Sequence, residues 1–279
     1  MKLGYSTWGM PTVPIDVAVG HIARLGFDGI EITVLPQFTT AIDTLDAAER
    51  RRIARLLAEH GLTLSAIAAH SSLMEDDAEV LAQHVARLKA AIDLAVDWAQ
   101  DGTPPFVNTL SGGKPDDWEA GHPAFVERIR PVVEYAAGRG VTLAMEPHIG
   151  MLVDTPERMV RILELVGSPH LRVNFDISHF DIIGMSTEES VAALLPYSVH
   201  THVKDERGRY PDFEFLIPGE GDFDYVHYLR VMQAHGYTGF INAEISMMVQ
   251  RRPDYDPLAA ATQSYQVLDR AFRTAGIPR

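Results

Sequence analysis

The 279-residue chain has no cysteine. That absence removes disulfide scaffolds, thiolate-bound zinc, iron–sulfur clusters and thiol nucleophiles from consideration. Positive charge is scarce as well: 24 Lys and Arg face 38 Asp and Glu, a net charge of −14 with histidine neutral. A surface of that sign repels phosphate backbones and anionic lipid, so neither nucleic acid nor membrane is expected as a partner. No apolar run approaches the roughly 18 residues of a membrane span. Met1-Lys2 leads straight into Leu3-Gly4-Tyr5-Ser6-Thr7-Trp8, which reads as a strand and not as a signal peptide. A soluble, cytoplasmic protein is the expectation. There is no Pro/Ser-rich linker to divide the chain. Nor does a Gly-rich phosphate loop follow the first strand, as an open doubly wound sheet would require.

What the chain does have is a regular alternation of short apolar runs and amphipathic segments. Strands are predicted at Lys2–Trp8, Gly29–Val34, Thr63–Ala69, Phe106–Ser111, Val141–Pro147, Leu171–Ser178, Val199–Lys204 and Phe240–Ile245. Their near-continuous hydrophobicity suits parallel strands covered on both faces. Helices with apolar residues at i, i+3, i+4 and i+7 are predicted at Ile15–Leu25, Ala47–His60, Ala78–Ala99, Pro123–Arg139, Pro156–Val166, Thr187–Leu195, Tyr225–His235 and Leu258–Thr274. Asp46, Thr155 and Ser186 are candidate N-caps, and Gly61, Gly140, Gly167 and Gly236 mark expected helix ends. Gly26-Phe27-Asp28-Gly29-Ile30-Glu31 echoes Gly236-Tyr237-Thr238-Gly239-Phe240-Ile241-Asn242-Ala243-Glu244, a turn followed by a strand that ends in glutamate. Eight such pairs predict an α/β protein, one (β/α)8 TIM barrel over residues 1–279 as a single domain.

In a barrel of this kind the chemistry collects at the C-terminal ends of the strands. Strands five to eight each deliver a ligand type there: Glu146, Asp176, His202 and Glu244. Three carboxylates in a low-dielectric setting repel one another unless protons or a cation intervene. Taken singly, each has a structural reading: an interior ion pair, a helix cap, a satisfied buried histidine. Together, three oxygen donors and one imidazole suit one hard or borderline divalent ion, Mn2+ first, with Mg2+ or Co2+ as alternatives.

These residues carry a resemblance. Leu143–Pro147, the Asp176-x-x-His179 pair, His200-x-His202-x-Lys204-Asp205, Pro218-Gly219-Glu220-Gly221-Asp222-Phe223-Asp224-Tyr225 and Ala243-Glu244 together resemble the xylose-isomerase-like barrel superfamily of sugar isomerases and epimerases, over essentially the whole chain. The resemblance implies a divalent ion on Glu146, Asp176, His202 and Glu244. It implies Glu146 and Glu244 as an acid/base pair on opposite faces of a sugar, and His179 as a contact to substrate oxygen. Ketose 3-epimerases of this kind carry an arginine six residues after the metal histidine. Here that position is Gly208, flanked by Arg207 and Arg209.

The implied reaction is abstraction of a proton next to a carbonyl, giving an enediolate. Return to the opposite face is epimerisation, delivery to the next carbon is isomerisation, and loss of a β-substituent is elimination. His148, two residues after Glu146, is a candidate additional base, and with it a lyase acting on a 3-keto sugar, keto-glycoside or inosose is the alternative. Trp8 and Phe38 are candidates to stack on a sugar face, His70, Glu31 and Asn108 to bind hydroxyls, and Lys204 and Arg207 to bind substrate oxygen. The loop after strand seven mixes its lysine and arginines with many acids, so a non-phosphorylated small-molecule sugar is the expected substrate. A nuclease of the endonuclease IV type shares the fold, and the charge of −14 weighs against it. The segment Met247–Pro257 is too long for a plain connection and reads as a lid or a subunit contact, which leaves a homo-oligomer or partner subunit open.

Overall fold

Each predicted apolar run forms a strand, and the strands close on themselves. In the computed structural model, which describes residues 1–279, β1 (Lys2–Ser6), β2 (Gly29–Thr33), β3 (Thr63–Ala68), β4 (Phe106–Leu110), β5 (Leu143–Glu146), β6 (Leu171–Asp176) and β7 (Ser198–Val203) follow one another around the barrel. An antiparallel hairpin of β8 (Asp205–Arg209) and β9 (Asp212–Leu216) leaves the rim, and β10 (Phe240–Ala243) then closes the barrel between β7 and β1. All eight barrel pairings are parallel. A single cluster of 63 buried apolar residues runs from Leu3 to Ile277, so one core serves the whole chain.

Eight long helices coat the barrel: α1 (Ile15–Leu25), α2 (Ala47–Glu59), α3 (Ala78–Asp97), α4 (Trp118–Gly138), α5 (Pro156–Val166), α7 (Thr187–Leu194), α8 (Tyr225–Ala234) and α10 (Pro257–Ala275). Two single turns, α6 (Ser178–Asp181) and α9 (Met247–Gln250), follow β6 and β10 at the mouth. The expected caps form. Asp46 accepts from the Ala48 and Glu49 amides, Thr155 accepts from Arg158, and Ser186 makes a reciprocal capping box with Glu189. Helix α4 starts at Trp118, not at Pro123. Pro123 and Pro131 both lie inside it, tolerated on a helix that buries Phe125, Ile129, Val132 and Val133. No helix is long and apolar enough to cross a membrane.

The region read from sequence as one long loop after strand seven holds the β8–β9 hairpin. Gly208 sits opposite Phe213 with φ +84°, and a Cβ there would meet the Asp212 carbonyl oxygen at 2.4 Å. An arginine six residues after His202 is therefore incompatible with this hairpin as built.

Candidate active site

Period-two alternation determines which residues enter the barrel. On β6, Asn174 and Asp176 share a face; on β7 and just beyond it, His200, His202 and Lys204 do; on β10 and beyond, Asn242 and Glu244 do. Register then sets their depth. Asp176 pairs with His202, and His202 pairs with Asn242, so Glu244 lies one inward position higher and Lys204 rises to meet it.

The deepest layer is organised by Glu31 in the middle of β2, which is 0 % exposed. Its carboxylate accepts from the His200 Nε2 at 2.9 Å and from the His202 Nε2 at 3.0 Å, and also from the Ser6 hydroxyl and the Asn108 amide. Burial alone would raise the Glu31 pKa, but the charge and hydrogen bonds of His202 and His200 outweigh it and hold the carboxyl well below its ordinary range. Glu31 and Asn108 therefore lie beneath the floor and are not hydroxyl-binding groups at the rim. His200 belongs to the same buried layer.

With its Nε2 committed to Glu31, His202 turns Nδ1 toward Glu146 Oε2 at 3.5 Å and Glu244 Oε1 at 3.4 Å. Donor atoms of Glu146, Asp176 and His202 lie within 4.8 Å of one another, as do those of Glu146, His70 and Glu244. Glu146 is further held by the Asn174 amide at 3.0 Å and His179 Nε2 at 3.1 Å. Burial raises its pKa, but His179 and His202 more than offset this, and the carboxyl stays well below the usual range. Asp176 divides its work: Oδ1 accepts from the Ser178 amide at 3.0 Å and hydroxyl at 2.6 Å, starting α6, while Oδ2 faces the cluster. The helix-cap reading of Asp176 is thus true of one oxygen only.

Lys204 is nearly fully buried. Its Nζ lies 2.6 Å from Asp176 Oδ2 and 2.7 Å from Glu244 Oε2, and 5.1 Å from the Phe215 ring centroid. It does not pair with Asp205 or Glu220. Asp205 instead accepts from the Gly219 and Phe223 amides, and Glu220 pairs with Arg252. Burial disfavours the ammonium, but Asp176, Glu244 and Glu146 raise its pKa overall.

Above this floor opens a cavity of about 320 Å3, lined by Glu146, Glu244, His148, His70, Lys204 and Trp8, and walled by Phe213, Phe215, Met247 and Met248. His148 is half-buried. Its Nδ1 donates to the Ile149 carbonyl at 2.7 Å, leaving Nε2 as the free basic nitrogen. Burial, with the neighbouring His179 ring 4.0 Å away, pushes its pKa down to about 3, so the imidazole is neutral. Trp8 stacks on Phe38 at 5.6 Å and meets His70 edge-on at 5.4 Å. Trp8 faces the cavity, while Phe38 only supports it.

Two expected substrate contacts lie elsewhere. His179 is fully buried behind His148 and Phe215, bonded to Glu146, so it supports the floor. Arg207 is exposed on the outer side of the hairpin, bonded to the Glu220 carbonyl and 3.6 Å from Asp222. Among the cavity residues not anticipated from sequence are Phe213, Phe215 and Arg251, and the role of Glu31 as the anchor of His202 was not anticipated either. The alternation in Asp212-Phe213-Glu214-Phe215 was the available signal for the first two.

The two carboxylates and one imidazole of Glu146, Asp176 and His202, with Glu244 Oε1 3.4 Å from His202 Nδ1, are donors of the kind that suit a hard divalent ion. The Glu31–His202 hydrogen bond is the carboxylate–histidine pairing that orients metal-binding imidazoles.

A family model described as a xylose isomerase-like TIM barrel matches residues 19–271. A putative hydroxypyruvate isomerase of Homo sapiens is 28 % identical over 181 residues, covering 57 % of this chain and 60 % of that protein, so the chain spans less than two thirds of that relative. The fructoselysine 3-epimerase of Shigella flexneri is 25 % identical over 272 residues, covering 91 % of this chain and 93 % of the relative. Among solved structures, the 3-keto-D-glucoside 4-epimerase of E. coli superposes with a TM-score of 0.77 at 16 % identity, covering 97 % of this chain and 99 % of that one.

Proposed function

Because the chain belongs to the xylose isomerase-like TIM barrel family, we propose that it is a divalent-metal-dependent isomerase or epimerase of a non-phosphorylated keto sugar or related polyol. The observation that carries this reading is the convergence of Glu146 and Glu244, from opposite sides of His202, into one cavity that also holds Lys204. The sugar epimerase and isomerase relatives support it.

Glu146, Asp176, His202 and Glu244 would hold the ion, Mn2+ or else Mg2+ or Co2+. It would supply Lewis acidity that stabilises negative charge on a substrate carbonyl oxygen. The remaining work falls to side chains. Glu146, ionised and fixed by Asn174 and His179, takes the proton from the carbon next to the carbonyl, giving an enediolate. Glu244, steered by Lys204 at Oε2 and entering the cycle with a proton on its other oxygen, gives that proton to the opposite face, and exchange with solvent through the cavity returns both carboxyls to their starting states. Trp8 presents an aromatic face to the sugar ring, and His70, whose buried Nδ1 has no partner, accepts or donates to a hydroxyl. Phe213, Phe215 and Met248 exclude water from the reacting carbon.

The free Nε2 of His148 favours one second reading. A neutral imidazole at the cavity wall can take the proton from the carbon next to the carbonyl; the enolate then forms a C=C bond as it expels the β-substituent, which leaves with the proton the imidazolium returns, and this makes the enzyme a lyase on a 3-keto sugar, keto-glycoside or inosose. The test is to incubate metal-stripped protein, with and without added Mn2+, against free ketoses, 3-keto-glycosides and inososes, and to identify products. An epimer or isomer formed only with the ion is expected. An unsaturated product transfers the assignment to the lyase, and turnover unaffected by chelation contradicts the proposal.

A further inference from the structure

The loops after β7 and β10 carry four arginines near the mouth, and three are already engaged. Arg207 is tied to the Glu220 carbonyl and Asp222, Arg209 to Asp181 at 3.0 Å, and Arg252 to Glu220 at 2.8 Å. Arg251, at the end of α9, has no ion pair and no side-chain hydrogen bond, and it is the one of the four that lines the active-site cavity. The only other lysine or arginine there, Lys204, is spent on Asp176 and Glu244. Phe213, Phe215, Met247 and Met248 form one apolar wall of the cavity, while its other polar lining residues, His70, His148 and Ser246, carry no fixed positive charge.

This profile is acidic at the floor, apolar along one wall and singly cationic at the exposed Arg251. On the reading that the floor enolises a keto sugar, we propose that Arg251 is a specificity residue for a substrate bearing a distal monoanionic carboxylate, joined to the sugar head by an apolar segment. One guanidinium matches one carboxylate in a bidentate pair. A phosphate dianion would need further donors, and the neighbouring arginines are committed. A free carboxylate would otherwise be repelled from a mouth whose floor holds Glu146, Asp176 and Glu244, so Arg251 admits it and also fixes which end enters first.

The test separates this inference from the catalytic reading by using ligands that cannot react. Phenyl β-D-glucopyranoside, its 4-carboxyphenyl analogue and its 4-phosphate analogue are titrated into Mg2+-supplemented protein by calorimetry or saturation-transfer NMR. The carboxylate is expected to bind about tenfold more tightly than the neutral probe, as one partly exposed charge-assisted pair allows. Arg251→Gln should abolish that advantage while leaving the neutral probe's affinity unchanged, and Arg251→Lys should restore part of it. The proposal is overturned if the two probes bind equally or not at all, if the advantage survives Arg251→Gln, if that variant weakens both probes alike, or if the phosphate binds best. Enolisation of keto sugars is read separately by hydrogen exchange, so either result stands without the other.

Discussion

Removing the ammonium of Lys204 should expose the electrostatic cost of the site. The group is 3 % exposed and bridges Asp176 and Glu244 at 2.6 and 2.7 Å. Lys204→Met keeps an unbranched stem against Phe215 and deletes only the charge. Leaving buried carboxylates without their cation costs about 3–5 kcal/mol. With an unfolding entropy near 2.1 cal/mol/K per residue, 279 residues give roughly 0.6 kcal/mol/K, so Tm in EDTA should fall by about 5–9 °C. A divalent ion binding the native state at a hundred times its Kd returns about 2.7 kcal/mol. The variant should gain more from Mn2+ than the wild type does, because in the variant the ion takes the place of the ammonium that bridged the Asp176 and Glu244 oxygens. Differential scanning calorimetry with and without Mn2+ measures both effects. A variant that melts within 1 °C of wild type in EDTA, or an equal Mn2+ gain in both proteins, would refute the reasoning.

Three further outcomes follow from neighbouring groups. Glu31→Gln removes the charge and one of the two acceptor oxygens that hold His202 and His200, and should weaken Mn2+ binding about 10–100-fold in equilibrium dialysis; unchanged affinity would show that Glu31 does not orient the histidine. His148→Ala should lower turnover by about 10²–10⁴-fold while the amount of bound metal stays constant, and undiminished activity would remove it from the chemistry. Glu206 is buried with neither carboxylate oxygen partnered, and burial, then Asp181, Asp176 and Asp205, push its pKa up to about 9. Its folded pKa lies above the unfolded value, so the native state keeps a proton that the unfolded chain releases. Stability should therefore fall as pH rises between about 4.5 and 9, by up to about 4 kcal/mol from pH 5 to 8, and Glu206→Gln should flatten that slope in urea titrations. A wild-type profile already flat across that window would disprove the assignment.

The barrel was legible because parallel strands covered on both faces must be apolar throughout, and each of the eight predicted runs became a strand. Glu146, His202 and Glu244 were legible for a related reason: a polar residue closing such a run has few places to go except the mouth. What could not be read was depth. Glu31 and His70 both look like strand ends in the sequence, yet β2 runs on to Thr33, which leaves Glu31 mid-strand and sealed beneath the floor, whereas β3 stops at Ala68 and puts His70 beyond it, facing the cavity. The hairpin was hidden because its alternation spans only five residues a strand and its acids look like any solvated loop. Arg207 was misplaced with it, since pairing along β8, with Arg207 opposite Glu214 and Gly208 opposite Phe213, decides which face each arginine takes. Lys204 was expected to bind substrate oxygen, whereas its ammonium is taken by Asp176 and Glu244. Asp205 is adjacent in sequence, but its carboxylate is taken by the amides of the 219–223 turn.

The central claim is that Glu146 and Glu244 exchange a proton beside a carbonyl, and solvent deuterium reads that step directly. Mn2+-loaded protein is held in D2O with a 3-keto-glycoside, a free ketose and an inosose, and the C–H next to each carbonyl is followed by NMR. The account predicts enzyme-dependent loss of that signal on at least one of them, abolished by Glu146→Gln and by Glu244→Gln with bound metal retained. Exchange on none of them, or exchange that persists in both variants, would contradict it.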